Sequence, residues 1–241
     1  MTKPVAVVVG AGDATGGAVA RRFARGGYVT CPVRRKRESL DGLAAQIEAE
    51  GGTVHPFGVD ARSEDAVVAM FDEIEAGIGP VEVAVFNIGA NSPGSILEET
   101  ARRYFKMWEL SCFAGFLTGR EAARRMTPRE RGTIVFTGAT ASMRGSARFA
   151  GFAGAKHALR ALAQSMAREL APKNIHVAHV IVDGAIDTEF IRSNFPDRYA
   201  LKEQDGIVNP DHIAEIYWQL HVQPRDAWTF EMDLRPWMEP W

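Results

Sequence analysis

The 241-residue sequence predicts an α/β fold, a single doubly wound parallel sheet of about seven strands with helices on both faces. Two observations predict it. Short apolar runs alternate with amphipathic stretches from end to end, and the runs are apolar at successive positions rather than every second one. A strand apolar on both sides needs cover on both sides, and an intervening helix lets the next strand run parallel to the last. Right-handed crossovers then leave the doubly wound arrangement.

The candidate strands are Val5–Val9, 28–33, 53–58, 83–87, Gly132–Thr137, 176–182 and 228–233. Helical patterns fill the intervals at 16–25, 39–50, 63–76, 96–126, 151–170 and 210–220. No linker, repeat or low-complexity stretch divides the chain, so 1–241 reads as one domain. One connection is long. Residues 183–209 carry Phe190, Phe195, Tyr199 and Leu201 among polar neighbours, which predicts a lid over a site.

Apolar residues make up 46% and charged residues 24%, with a net charge of −2, so neither nucleic acid nor an anionic membrane is expected as a partner. Arg34-Arg35-Lys36-Arg37 and Arg124-Arg125 are short basic clusters. Cys31 and Cys112 form no CxxC and sit in apolar segments, which predicts reduced core thiols and a cytoplasmic protein. The chain enters its first strand directly after Pro4, with no signal or membrane-span pattern.

Chemistry first shows in Gly10-Ala11-Gly12-Asp13-Ala14-Thr15-Gly16-Gly17, between the first strand and first helix. Glycines there permit a tight turn and let a pyrophosphate approach backbone N–H groups at a helix N-terminus, as in Rossmann-type folds. The segment resembles the TGxxxGxG pattern of the short-chain dehydrogenase/reductases. Gly10 and Gly16 match the outer glycines, Ala14 replaces the middle one, and Val9 stands where threonine is usual. Gly12, Asp13 and Thr15 complete the expected phosphate turn, Asp13 pointing outward or capping the helix.

The resemblance extends to about Thr188. NAD-selective members carry an acidic residue after the second strand; here Val33 is followed by Arg34 and Arg35, whose charge favours NADP(H) over NAD(H). Asp60 matches the acidic residue at the adenine edge. Phe86-Asn87-Ile88-Gly89 resembles the NNAG segment, keeping Asn87 and Gly89. Asp183-Gly184-Ala185-Ile186-Asp187-Thr188 resembles PGxxxT without its proline, which would bring Gly184, Ile186 and Thr188 to the carboxamide.

The catalytic set that the family implies is Asn, Ser, Tyr and Lys. Its YxxxK string reads Phe152-Ala153-Gly154-Ala155-Lys156. Lys156 is retained, on the same helix face as Phe152, but phenylalanine has no proton to give. Ala139 stands for the serine, and Ser111 best matches the asparagine. Phe149 occupies the other tyrosine position known in the family. These replacements predict an apolar substrate, reduced at a carbonyl or a conjugated C=C. The proton would come from a ribose hydroxyl held by Lys156, a water, Tyr199 or Ser142; Thr140 and Ser142 would need a rearranged loop to reach the pocket. The alternative is a cofactor-binding sensor, scaffold or partner subunit without hydride transfer. A non-redox enzyme is disfavoured by the retained cofactor positions.

No metal site is expected. His176 and His179 face opposite sides of a strand, and His157 points away from Lys156 around its helix. The aromatic C-terminus (Trp228, Phe230, Trp237, Met238, Trp241) is expected at a subunit interface or domain edge. The resemblance implies a homodimer or homotetramer packed through 96–126 and 151–170.

Overall fold

The strands are β1 (Val5–Val9), β2 (Val29–Arg34), β3 (Thr53–Val54), β4 (Phe57–Gly58), β5 (Val81–Phe86), β6 (Gly132–Thr137), β7 (Ile175–Val182) and β8 (Glu231–Leu234). In this computed structural model, which describes residues 2–240, they form one sheet ordered β3-β2-β1-β5-β6-β7-β8, with β4 also on β2. Every pairing is parallel. The order reverses between β1 and β5, so the two halves of the chain wind outward from β1.

Alternate residues of each strand feed two cores. Val5, Val7 and Val9 face one side, where α3 (Glu64–Gly77), α5 (Ala114–Met126) and α6 (Ala150–Leu170) supply Phe71, Leu117 and Leu159. Ala6 and Val8 face the other, against α1 (Thr15–Arg25), α2 (Asp41–Ala49) and α9 (Pro210–His221), which supply Phe23, Ile47 and Tyr217. All five β1 side chains are buried, as a strand covered on both faces requires.

Several boundaries move for local reasons. The predicted strand 53–58 is split at Pro56, which has no N–H for the ladder. The chain nevertheless stays along β2: His55 N–H donates to Thr30 O, and Val59 N–H to Arg34 O. The predicted helix 39–50 begins as a 3₁₀ turn, Arg37–Leu40, before α2. The predicted helix 96–126 starts only at α4 (Ala101–Trp108), where the Thr100 hydroxyl accepts from Arg103 N–H. A single π turn, Glu109–Phe113, then joins α4 to α5. β8 begins later than predicted. Trp228 stacks on His176 instead (4.9 Å, 2° between planes), while the His176 ring nitrogens face Leu220 O and Thr229 O. His179, on the opposite face, lies 3.0 Å from Glu231, which is clamped by Arg160 of α6.

The long connection is structured. α7 (Glu189–Asn194), α8 (Pro196–Tyr199) and a 3₁₀ turn (Ala200–Gln204) follow one another, and a parallel bridge between Ile186 and Val208 closes its base. Cys31 and Cys112 are free and buried, and burial pushes the Cys31 thiol up to about 12. Trp237 is largely exposed, its indole N–H donating to Gln204 O; Trp241 lies outside the described residues. Among the described residues no helix is long and apolar enough to cross a membrane.

Phe136, fully buried on β6, packs on Phe86 and beneath Gly119 of α5. Phe136→Ala is expected to cost roughly 3–5 kcal/mol in urea unfolding; a loss below about 1 kcal/mol would show that the central strands are not the core.

Candidate active site

The C-terminal ends of β1, β5, β6 and β7 open into a cleft of about 990 Å³. One wall is the glycine turn. Gly10 has φ +88°, and a β-carbon on it would come within 2.8 Å of Asn87 O; one on Gly16 would come within 2.5 Å of Gly10 O. Neither position accepts a side chain. Asn87 fastens the turn from below, its Nδ2 donating to Gly10 O at 3.2 Å. The first turn of α1 has no acidic residue and no side-chain cap, and Thr15 Oγ1 is buried there without a hydrogen-bond partner. An orphaned hydroxyl and uncapped N–H groups at a helix N-terminus fit an incoming phosphate. Asp13 lines the cleft but is exposed and caps nothing.

The Arg34 guanidinium lies across this turn, its carbon 3.6 Å from where a Gly12 β-carbon would sit. Arg34 lines the cleft; Arg35 is exposed outside it. Asp60 also lies outside. Its carboxylate accepts from the Arg62 guanidinium at 2.9 and 2.6 Å, which holds it down to about 2.

Lys156 marks the middle of the cleft. Its Nζ donates to Thr137 O at 2.8 Å and Ile88 O at 3.2 Å, and Gly89 packs beside it. Burial pushes this amine down to about 8. Phe152 lines the cleft one helical turn earlier, and Phe149 and Ala139 line it too. Gly184 and Ile186 border the same space. Thr188 does not; its hydroxyl accepts from Ile191 N–H and caps α7. Ser111 falls in the π turn, wholly buried and away from the cleft lining, with its Oγ unpartnered.

The two side-chain hydroxyls suggested as proton donors are elsewhere. Ser142 is buried, its Oγ accepting from Ala139 N–H at 3.1 Å, so it caps the turn after β6. Tyr199 is outside the lining, with the Lys202 amine over its ring. His157 is exposed and its Nδ1 lies 2.9 Å from Ala153 O.

Phe190 and Phe195, expected in a lid, line the cleft together with Phe149 and Phe152. Ile191 and Arg198 were not legible in the sequence; both line the cleft, and Arg198 pairs with Glu239 at 2.9 Å. Thr140, expected to reach the pocket only through a rearranged loop, lines the cleft, and its hydroxyl donates to the buried Asp183 carboxylate. For Asp183 the signal was its departure from the family's proline. Among the described residues no cluster of His, Cys, Asp or Glu could hold a metal ion.

A sheet wound from β1, a glycine turn on α1 and a lysine on α6 define a nucleotide-binding α/β protein. The family model for short chain dehydrogenase matches residues 4–198, and the chain belongs to that family. It is 31% identical over 189 residues to the 3-oxoacyl-[acyl-carrier-protein] reductase MabA of Mycobacterium avium, covering 78% of this chain and 69% of that protein. A short-chain dehydrogenase from Rhodopseudomonas palustris superposes with a TM-score of 0.84 at 47% identity, over 97% of this chain and 99% of that one. A metagenomic short-chain oxidoreductase in complex with NADP superposes with a TM-score of 0.84 at 26% identity, over 98% of each chain.

The buried amine has a pH signature. The unfolded chain holds its proton up to about the ordinary lysine value of 10.5, and the folded chain releases it near 8. Between those values the unfolded state binds more protons, so this group makes stability rise with pH, by up to about 1.4 kcal/mol per unit. Lys156→Met is expected to remove that rise in urea titrations from pH 7 to 10. A wild-type advantage that does not grow over this range would contradict it.

Proposed function

We propose that this protein is an NADP(H)-dependent oxidoreductase of an apolar small molecule, a carbonyl compound or a conjugated alkene. One observation carries the reading. A single cleft runs from the glycine turn and Arg34, past Lys156, to a chamber walled by Phe149, Phe152, Phe190 and Phe195. Membership in the short-chain dehydrogenase family and the NADP bound by the metagenomic neighbour support it.

In this reading the backbone at Gly10, Gly12, Asp13 and Gly16, with the Thr15 hydroxyl, holds the pyrophosphate. Arg34, with Arg35 adding charge nearby, meets the 2′-phosphate. Asn87 and Gly89 shape the floor, Lys156 holds the nicotinamide ribose, and Gly184 and Ile186 flank the carboxamide. Asp60 and Thr188 are left out of the set, because Arg62 and the α7 cap already use them. The bound dinucleotide supplies or takes a hydride; the chain orients the substrate and excludes water from the apolar chamber.

A second reading has its own support. Ala139 and Phe152 offer neither a hydrogen bond to a developing oxyanion nor a proton, as expected of a cofactor-binding sensor, scaffold or partner subunit. We also propose a homodimer or homotetramer. The row Phe105 and Trp108 of α4, Phe113 of the π turn and Phe116 of α5, with Phe105 58% exposed, is an apolar stripe of the kind buried between subunits.

Fluorescence titration separates the cofactor readings. Arg34→Ala is expected to weaken NADPH roughly ten- to a hundredfold while leaving NADH within about twofold, the loss of one charged hydrogen bond. Equal losses for both would rule out a 2′-phosphate role. Turnover on a panel of aryl ketones and enones separates the enzyme from the sensor. Tight NADPH binding with no turnover on any of them favours the sensor. Phe152→Tyr with Ala139→Ser should then raise ketone reduction by about 10²-fold or more if only the proton machinery is missing.

A further inference from the structure

We propose that Thr140 and Asp183 form the proton-transfer pair of this cleft, in place of the absent tyrosine and serine, and that the substrates are apolar secondary alcohols and their ketones. The proposal rests on the oxidoreductase reading and narrows it.

Placement comes first. Thr140 follows Ala139, the residue at the serine position, and lines the cleft. Asp183 is 3% exposed, lies behind the lining at the end of β7, and directly precedes Gly184. The Thr140 hydroxyl donates to Asp183 Oδ1, so it stands between the carboxylate and the cleft. Asp183 Oδ2 faces Arg235 at 3.0 Å and Arg144 at 3.8 Å. Two guanidiniums thus face one oxygen of the carboxylate. The other oxygen is committed to Thr140.

An ionised Asp183 fixes the direction of the pair. A carboxylate is acceptor-only, so Thr140 spends its proton on Asp183 and keeps lone pairs for a donor in the cleft. That donor is an alcohol O–H. A ketone could accept from the pair only after Asp183 has taken up a proton. The same region therefore loses two hydroxyls, at Ala139 and Phe152, and gains a hydroxyl–carboxylate relay where the family pattern has proline. The phenylalanine chamber beside Thr140 suits an alcohol with an aryl or branched apolar body.

The step balances. The substrate O–H proton passes to Thr140 Oγ1 as the Thr140 proton passes to Asp183 Oδ1. The carbinol hydrogen leaves with both bonding electrons to the oxidised nicotinamide dinucleotide, and the C–O bond becomes C=O. Asp183, now protonated, returns its proton to solvent. Ketone reduction runs the same transfers backwards.

The test uses the full chain with 1-phenylethanol and NADP⁺ as probes, in wild type, Thr140→Val, Thr140→Ser and Asp183→Asn. Three readouts are taken: turnover, NADPH affinity by fluorescence, and the hydrogen bonding of Asp183 by its carboxyl ¹³C shift. Thr140→Val is expected to slow oxidation by roughly 10²- to 10⁴-fold, the range of general acid–base help. NADPH affinity should stay within about twofold, and the Asp183 carboxyl ¹³C resonance should shift as the carboxylate loses its Thr140 donor. Thr140→Ser should stay within about tenfold of wild type. The pair is overturned if Thr140→Val turns over like wild type, if its Asp183 carboxyl resonance does not move, or if its NADPH affinity falls tenfold or more. Asp183→Asn is expected to match Thr140→Val in turnover, and Thr140→Val decides the matter should the Asn variant not fold. Wild type that binds NADPH but oxidises no alcohol and reduces no ketone sinks the oxidoreductase reading itself, and the pair with it.

Discussion

A buried ammonium group must find acceptors, and Lys156 finds its acceptors in two different strand ends. Its Nζ donates to Thr137 O at the end of β6 and to Ile88 O just past β5. Leaving such a charge unpaired away from water would cost several kcal/mol, so the N-terminal half of α6 is fixed over the ends of both strands. Phe152, one turn earlier on the same face, is carried into the cleft by that placement. Gly89 packs beside the lysine, where a β-carbon would sit 3.6 Å from Nζ, in ordinary contact. The position of the chamber relative to the glycine turn follows from this one amine and from the winding of the sheet about β1.

How far the sequence could be read depended on how local each signal was. β1 and its turn were legible because five apolar residues and a glycine string lie in one short window. β6 and β7 were legible for the same reason. Pro56 sat in plain view, yet its effect on the strand through 53–58 depends on which neighbour needs the missing N–H. The π turn at Glu109–Phe113 has no pattern of its own; it follows from packing α4 and α5 against α6. Pairs such as Arg198–Glu239 and Arg160–Glu231 join residues tens of positions apart, and no spacing rule finds them. Ser142 shows the opposite failure. It is a hydroxyl in the right segment, but Ala139 N–H claims it as a cap.

The polar groups of the site are thus mostly spoken for. Asp60 belongs to Arg62, Thr188 to α7, Ser142 to its own turn, and Glu239 to Arg198. Those that still face the cleft include the α1 N-terminus with Thr15, the Arg34 guanidinium, and Thr140 with the carboxylate behind it. A sequence pattern names residue types at positions. Which of them are free to meet a ligand is decided by the partners that folding gives them, and here several family-like residues have been given partners already.

The bridge between Ile186 and Val208 has a consequence for inheritance. It pins both ends of the α7–α8 excursion at one point beside the sheet, so everything between them is a closed loop hung from a fixed base. The entropy of closing such a loop grows only with the logarithm of its length. Residues can therefore be inserted, deleted or exchanged around Phe190 and Phe195 while β7, the Lys156 contacts and the glycine turn keep their geometry. The chamber's tastes can drift between descendants of this chain without its scaffold being renegotiated.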